Sequence, residues 1–328
     1  MKIALLGINK TRKTGLETWK DNLIRFLSKK NKIREVYTSN IISILADIHF
    51  ILSADITHSY SQTPGTILII LLRKILGKKH IHTVHGNYYY ENKDKLGLKR
   101  VFWIPFNRLC VHSANQVTFP SNHLLQEIIS KEKEVNLKYK VIPNGIDLTN
   151  IALVKRYSKS QLKIPEDYRF ILEVTGFNLQ EKAQGIDLLI KEFNELTAIN
   201  KKNILYILGS GKLLQGYKNK YQSKNVKFLG FRDDALALIK SCDLLVHYSN
   251  LDSFGYVILE GLSFNKPVIA HGSRAFNEIL GNGQISLRDI NQSNLAILAK
   301  RSKKLIKKYS HLTMGESFLK LYKNETST

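Results

Sequence analysis

Cysteine is nearly absent from this chain. Its 328 residues carry two, Cys110 and Cys242, so far apart that they make no metal-ligand or redox motif. Long apolar runs are missing as well. The longest, Ile67 to Leu72, falls far short of the roughly 20 residues that span a bilayer. The segment Met1 to Gly7 has too short an apolar core for a secretory signal and reads as a first strand. Together these point to a reduced cytoplasmic setting for a chain that can touch a membrane without crossing it. Acidic residues are scarce beside basic ones, 27 Asp+Glu against 50 Lys+Arg, a formal charge of +23. No internal repeat, low-complexity tract, zinc pattern, RNP-like aromatic block or helix-turn-helix signature accompanies that charge. Nucleic-acid binding therefore rests on charge alone. An anionic membrane face, an acidic polymer or a plain solvated surface fits the same excess.

What is present is a globular composition, 43% hydrophobic and 23% charged, with length for two domains that each bury a core. Short apolar blocks alternate with helical patterns. In the first half, strands are read at 1–7, 36–37, 56–58, 80–84 and, with a turn, 114–121. Helices are read at 16–29, 41–52, 64–76, 99–113 and 122–131. Leu16, Trp19, Leu23, Phe26 and Leu27 fall at helical spacing, and Ser121 stands where a helix cap belongs. The helix at 99–113 and the run at 67–74 are both basic and amphipathic. The second half reads as strands at 170–176, 203–208, 226–231 and 242–247, with a helix over 186–196. Such alternation predicts an α/β fold with parallel sheets and crossover helices. The polar stretch at 148–166 reads as the connection between the halves. The cluster Lys300, Arg301, Lys303, Lys304, Lys307 and Lys308 is a solvated helix face or a contact for anionic lipid.

Residues 249–278, SNLDSFGYVILEGLSFNKPVIAHGSRAFNE, carry the chemistry. Asp252 and Glu260 bracket Ser253-Phe254-Gly255. The pattern predicts a loop at 249–255, a helix over about 256–264, a strand at 267–270 and a Gly272-Ser273 turn into a second helix. In an open α/β sheet, loops of this kind lie at the carboxyl ends of strands, where ligands bind. Gly255 lets a ligand approach the backbone, and the first amides of the helix suit an anion. Glu260, one turn further in, can accept bonds from sugar hydroxyls. Taken alone, the same two acids also suit the solvated face of an amphipathic helix.

The full stretch resembles the signature of retaining GT-B glycosyltransferases of family four, S-x-x-E-x-F-G-x-x-x-L-E-A-x-A-x-G-x-P-V-I-A. Ser249, Phe254, Gly255, Leu259, Glu260, Pro267, Val268, Ile269 and Ala270 match in register. Asp252 stands at the first glutamate, keeping the charge with a reach one methylene shorter. Val141 to Asp147 matches the family's V-I-P-N-G-I-D, and Thr83 to Gly86 its T-x-H-G. Ala114 to Ser121 is similar to its A-D-x-V-x-x-x-S, and Gly209-Ser210-Gly211 to its G-x-G turn. Thr14-Gly15 stands where the family carries Gly-Gly. Phe177 and Gln184 occupy the places of the arginine and lysine that clamp the donor diphosphate. Lys182 is the candidate replacement, with Lys212 and Arg274 behind it.

The resemblance implies a GT-B architecture, two Rossmann-like domains facing across a cleft. An acceptor-side domain over 1–150 is expected, then a nucleotide-sugar domain over 151–305, then a C-terminal helix at 306–328 packing back on the first. It implies transfer of a sugar from a nucleoside-diphosphate donor to an acceptor hydroxyl with retained anomeric configuration. The donor is expected as UDP- in preference to GDP-sugar, with no cofactor and no metal. His85, Lys182, Asp252 and Glu260 are the expected catalytic residues. Gly15, Gly86, Gly176, Gly209, Phe231, Ser253, Phe254 and Gly255 are expected to bind the donor. Tyr88-Tyr89-Tyr90 either faces acceptor or lipid or packs against its domain. The charge together with the family resemblance implies a lipid-linked or polysaccharide acceptor in cell-envelope assembly, an anionic membrane surface as a partner, and no nucleic acid. The rival readings are another GT-B enzyme (an inverting transferase or an epimerase), a catalytically inactive carbohydrate-binding relative, and a basic nucleic-acid-binding protein.

Overall fold

The computed structural model describes residues 1–8, 15–90, 98–132 and 138–327, with the side chains of 98–101 set aside. The loop expected at 8–15, with Thr14 in it, lies outside the described residues apart from its ends, as do the side chains of Lys99, Arg100 and Val101. The chain divides into two compact units, 1–145 with 311–328, and 146–310.

The first unit opens with β1 (Lys2–Gly7), α1 (Gly15–Leu27), β2 (Lys32–Tyr37), α2 (Ile41–Ser53) and β3 (Ile56–Ser59). It continues with α3 (Pro64–Ile75), β4 (His80–Thr83), α4 (Leu98–Ser113), β5 (Gln116–Phe119), α5 (Asn122–Glu132) and β6 (Tyr139–Val141). Local chemistry sets the helix starts. Thr63 accepts the Thr66 amide in front of Pro64 at the head of α3, and Ser121 accepts the Leu124 amide at 3.1 Å to cap α5, as its sequence position suggests. Among the described residues the strands form one parallel sheet in the order β2-β1-β3-β4-β5-β6. The chain steps from β1 one way and then returns the other way. Right-handed crossovers therefore put α1 on one face and α2 to α5 on the other. Trp19, Leu23 and Leu27 are fully buried along the inner stripe of α1, the spacing the sequence shows.

The second unit runs through α6 (Leu148–Ala152), β7 (Arg169–Val174), α7 (Gln180–Ala183), α8 (Gly185–Ile199), β8 (Asn203–Leu208), α9 (Leu214–Tyr221) and β9 (Val226–Gly230). Then come α10 (Ala235–Ser241), β10 (Leu244–Ser249), α11 (Tyr256–Ser263), β11 (Val268–Gly272), α12 (Ala275–Leu280) and α13 (Gln292–Leu305). Its parallel sheet has the order β11-β10-β7-β8-β9. Side chains alternate across it: Phe170 and Leu172 of β7 join the core beneath α10 and α11, while Ile171 joins the core beneath α8 and α9. The stretch at 148–166, polar enough to read as a connector, is packed: Val154, Tyr157 and Leu162 lie against the first of these cores. The Tyr157 hydroxyl donates to Asp234 at 2.7 Å.

The last helix, α14 (His311–Thr326), returns to the first unit and lies along α1. Residues 306–310 stay with the second unit. Among the described residues, no helix is long and apolar enough to cross a membrane.

Candidate active site

The strand order of the second sheet reverses between β7 and β10. Connections leave the two strands in opposite directions there, and the carboxyl ends at such a switch point are the usual ligand position in these sheets. Four charged side chains meet at this point. Glu173 on β7 lies 3.0 Å from His247 Nδ1 on β10. His247 Nε2 is 3.4 Å from Asp252 Oδ2 in the loop after β10. Lys182 Nζ on α7 is 4.0 Å from the same Asp252 oxygen. Asp252 is fixed further by accepting the Phe254 amide at 3.2 Å, and its carbonyl accepts the Ser273 hydroxyl at 2.7 Å.

Charge balance follows from these contacts. Burial alone would push the Asp252 carboxyl up, but Lys182, His247 and the Phe254 amide outweigh it and hold it well below the usual carboxylate range. Burial alone would push His247 down; the carboxylates on its two nitrogens outweigh that and raise it to about 9. At neutral pH the loop thus presents an anionic Asp252 backed by an imidazolium.

The other expected positions fall around this centre. Gly255 precedes α11 in the left-handed region, φ +97°, a conformation glycine adopts without penalty. Gly209 follows β8 so close to the residue after β7 that a Cβ there would stand 1.8 Å from the Thr175 carbonyl oxygen. Gly176 lies two residues past the end of β7 and faces open space. Ser253 and Glu260 are partly buried, Glu260 one turn into α11 as the spacing predicts, and Phe231 follows β9 with its ring exposed. The side chain of Phe254 is in the core with Ile258 and Phe276, so this residue presents its backbone, not its ring, at the loop. Phe177, in the place of the family's arginine, is likewise a core residue, fully buried against Tyr217 and Phe228. Gln184, in the place of the lysine, is exposed, as are Lys212 and Arg274.

In the first unit, His85 and Gly86 follow β4, both partly buried, with the His85 ring 4.4 Å from that of Trp19. Gly15 is the exposed first residue of α1. The tyrosine run packs against its domain. Tyr88 is buried, and both Tyr88 and Tyr89 donate to the buried Glu132, at 2.7 and 2.6 Å.

Two members of the charged array, Glu173 and His247, escape the sequence reading, which takes FILEV and LLVHYS as plain strands. The signal was there. A carboxylate and an imidazole in the middle of apolar strands are buried and must find partners. Among the described residues, no group of three or more His, Cys, Asp or Glu side chains is placed to hold a metal ion.

With this geometry in place, comparison with known proteins decides the family. The profile of "Glycosyl transferases group 1" matches residues 154–316, and that of "Glycosyltransferase Family 4" matches 17–150. The chain belongs to the group 1 glycosyltransferases. Its relatives within the group include N-acetyl-alpha-D-glucosaminyl L-malate synthase of Bacillus anthracis, 23% identical over 75% of this chain and 64% of that protein. A second is the Escherichia coli UDP-Gal:alpha-D-GlcNAc-diphosphoundecaprenol alpha-1,3-galactosyltransferase, 26% identical over 70% of this chain and 60% of that one. The chain thus spans under two thirds of the length of either. Among solved structures, Anabaena Alr3699/HepE in complex with UDP and glucose superposes with a TM-score of 0.77 at 15% identity, covering 99% of this chain and 100% of that one. The group 1 glycosyltransferase described here therefore has the GT-B fold class, two parallel-sheet α/β units.

Proposed function

We propose that this glycosyltransferase moves a sugar from a nucleoside-diphosphate donor, UDP-linked in preference to GDP-linked, to an acceptor hydroxyl with retention of anomeric configuration. The observation that carries the reading is the pairing of Lys182 with Asp252 at the carboxyl ends of β7 and β10. As the glycosidic bond lengthens, negative charge grows on the departing diphosphate. A lysine and helix-start amides fixed beforehand can stabilise it without a metal ion. In this reading Lys182 neutralises the diphosphate, Asp252 meets the transferred sugar and Glu260 the donor ribose. The names of the relatives support the substrate class: one carries UDP-Gal and a diphosphoundecaprenol-linked acceptor, and the Anabaena neighbour was solved with UDP and glucose.

The acceptor side of the proposal is a lipid-linked or cell-envelope glycan reached from an anionic membrane surface. In the first unit, α2, α3 and α4 lie side by side on one face of the sheet, and large apolar side chains point outward from all three. Ile42 is 71% exposed, Leu68 57%, Ile75 82% and Phe102 57%. Neither α3 nor α4 contains an acidic residue, and Lys74 and Lys78 stand exposed at the end of α3. Apolar residues beside exposed lysines suit an anionic bilayer.

Incubation with labelled UDP- and GDP-sugars, with chelator present and absent, tests the reaction, and the anomeric signal of the product tests retention. Absence of transfer, of slow donor hydrolysis and of nucleotide binding at millimolar concentration would leave the inactive-relative reading.

A further inference from the structure

The four charges at the carboxyl ends of β7 and β10 alternate in sign along a line: Glu173, His247, Asp252, Lys182. The inner members are anchored. Glu173 is fully buried, and its second oxygen accepts the Tyr248 amide at 2.9 Å. The His247 ring is buried between its two carboxylates, with Phe276 at 5.1 Å as its aromatic neighbour. Asp252 caps Phe254. Lys182 is the outer member, on a helix of one turn with its side chain a third exposed.

Hydrogen-bond arithmetic sets the proton count on the ring. Burial pushes the Glu173 carboxyl up from its ordinary value, while His247 and the Tyr248 amide favour its ionised form. With both carboxylates ionised, each only accepts, so the histidine between them donates from both nitrogens, and only the imidazolium does so. The formal charges then cancel over the array. That balance has a consequence when an anion arrives. A diphosphate that draws Lys182 toward itself takes away one of the two cations of Asp252. A mostly buried carboxylate left without any would be costly.

We propose that His247, oriented by Glu173, is a positioning residue that keeps Asp252 ionised and in place while Lys182 turns to a nucleoside diphosphate. This rests on the donor site proposed above. It assigns to the strand pair a task that Lys182 and Asp252 cannot perform by themselves. Among the described residues, the charged groups facing His247 are Glu173 from β7 and Asp252 from its own loop, with Lys182 beyond Asp252.

The test compares wild type, His247→Gln and Glu173→Gln by histidine NMR and by calorimetric titration with UDP and GDP from pH 6 to 10. In wild type the His247 ring should titrate on the alkaline side, near the value of about 9 given above, and in Glu173→Gln its midpoint should move toward neutral by a pH unit or more. UDP affinity of wild type should decline as pH rises through the His247 midpoint. In Glu173→Gln the decline should begin at lower pH. In His247→Gln affinity at pH 7 should already be about tenfold weaker. Glu173 does not touch Lys182, and ionisation of the ligand is the same in every protein, so a limb that moves in Glu173→Gln reports His247. Should His247→Gln fail to fold, the Glu173→Gln shifts alone decide. A His247 midpoint near 6.5, or wild-type affinity with an unchanged pH profile in His247→Gln, overturns the proposal. If no nucleotide binds wild type, the donor-site reading fails instead, and the NMR midpoints still judge the charged array.

Discussion

Lys182 Nζ stands 4.0 Å from Asp252 Oδ2, joining a one-turn helix after β7 to the loop after β10. Neither residue has a counterpart of its own type in the family pattern: the lysine falls two positions early, and the aspartate replaces a glutamate. In the proposed reading, the pair puts the donor site's cation at a neighbouring place on the same turn and keeps an anion opposite it.

Removing that ammonium should therefore be felt in the reaction and hardly in the fold. Lys182→Ala is expected to lower the transfer rate by roughly tenfold to a hundredfold, the loss of about 1.5–3 kcal/mol that a charged hydrogen-bond partner supplies. Its unfolding midpoint should stay near wild type, because the side chain is partly exposed. Lys182→Arg should recover part of the rate. Initial rates with a UDP-sugar, beside a thermal melt of each variant, check this.

Phe177 makes the complementary case. Restoring the arginine that the family carries there would bury a guanidinium among Tyr217, Phe228 and the rest of the α8 and α9 core. Phe177→Arg is expected to destabilise by more than about 3 kcal/mol through lost packing and an uncompensated buried charge. Gln184→Lys, at an exposed position, should fold normally and tighten UDP binding. Urea unfolding and calorimetry separate the two outcomes.

These residues also show where sequence reading succeeds and stops. The helix expected at 256–264 is α11, and the strand expected at 267–270 is β11 shifted by one or two residues, because apolar period and glycine placement encode both locally. Lys182 and Asp252 are paired because strand order brings the segments after β7 and β10 together. Phe254 was legible as a motif residue, but its ring belongs to the core: a motif letter records that a residue type is needed and not which of its atoms faces the ligand. Glu173 and His247 stayed hidden because they are 74 positions apart and become partners only when β10 inserts beside β7.

The first unit should be sensitive to acid. His58, His80 and His82 are buried within its sheet, bonded to Tyr322, Thr83, Thr57, Ser59 and Gln62. Burial pushes His58 and His80 well below the ordinary histidine value and His82 down to about 4. Folded values below unfolded ones stabilise above pH 6.5, and that contribution is lost as pH falls toward 4. The slope is up to about 1.4 kcal/mol per histidine per pH unit. His247 runs the other way: its stabilisation is complete below pH 6.5 and disappears as pH rises through 9. Melting temperature against pH should therefore fall on both sides of a neutral plateau, and His82→Gln should flatten the acid side only.

The outward residues of α2 and α3 should decide membrane binding, if the acceptor lies in a bilayer. Wild type is expected to sediment with vesicles containing anionic lipid and to stay in solution with purely zwitterionic ones. Moderate salt should weaken the binding without abolishing it, because salt screens the lysines but leaves apolar insertion. Ile42→Glu with Ile75→Glu places two carboxylates at positions 71% and 82% exposed, so the fold should be unaffected while vesicle binding drops at least tenfold. Lys74→Glu with Lys78→Glu should erase the preference for anionic lipid. Activity on a soluble acceptor analogue should survive in both variants. If the double glutamate variant binds vesicles as wild type does, the face has another occupant. A wild-type dimer in solution that this variant dissolves would identify a second copy of the chain.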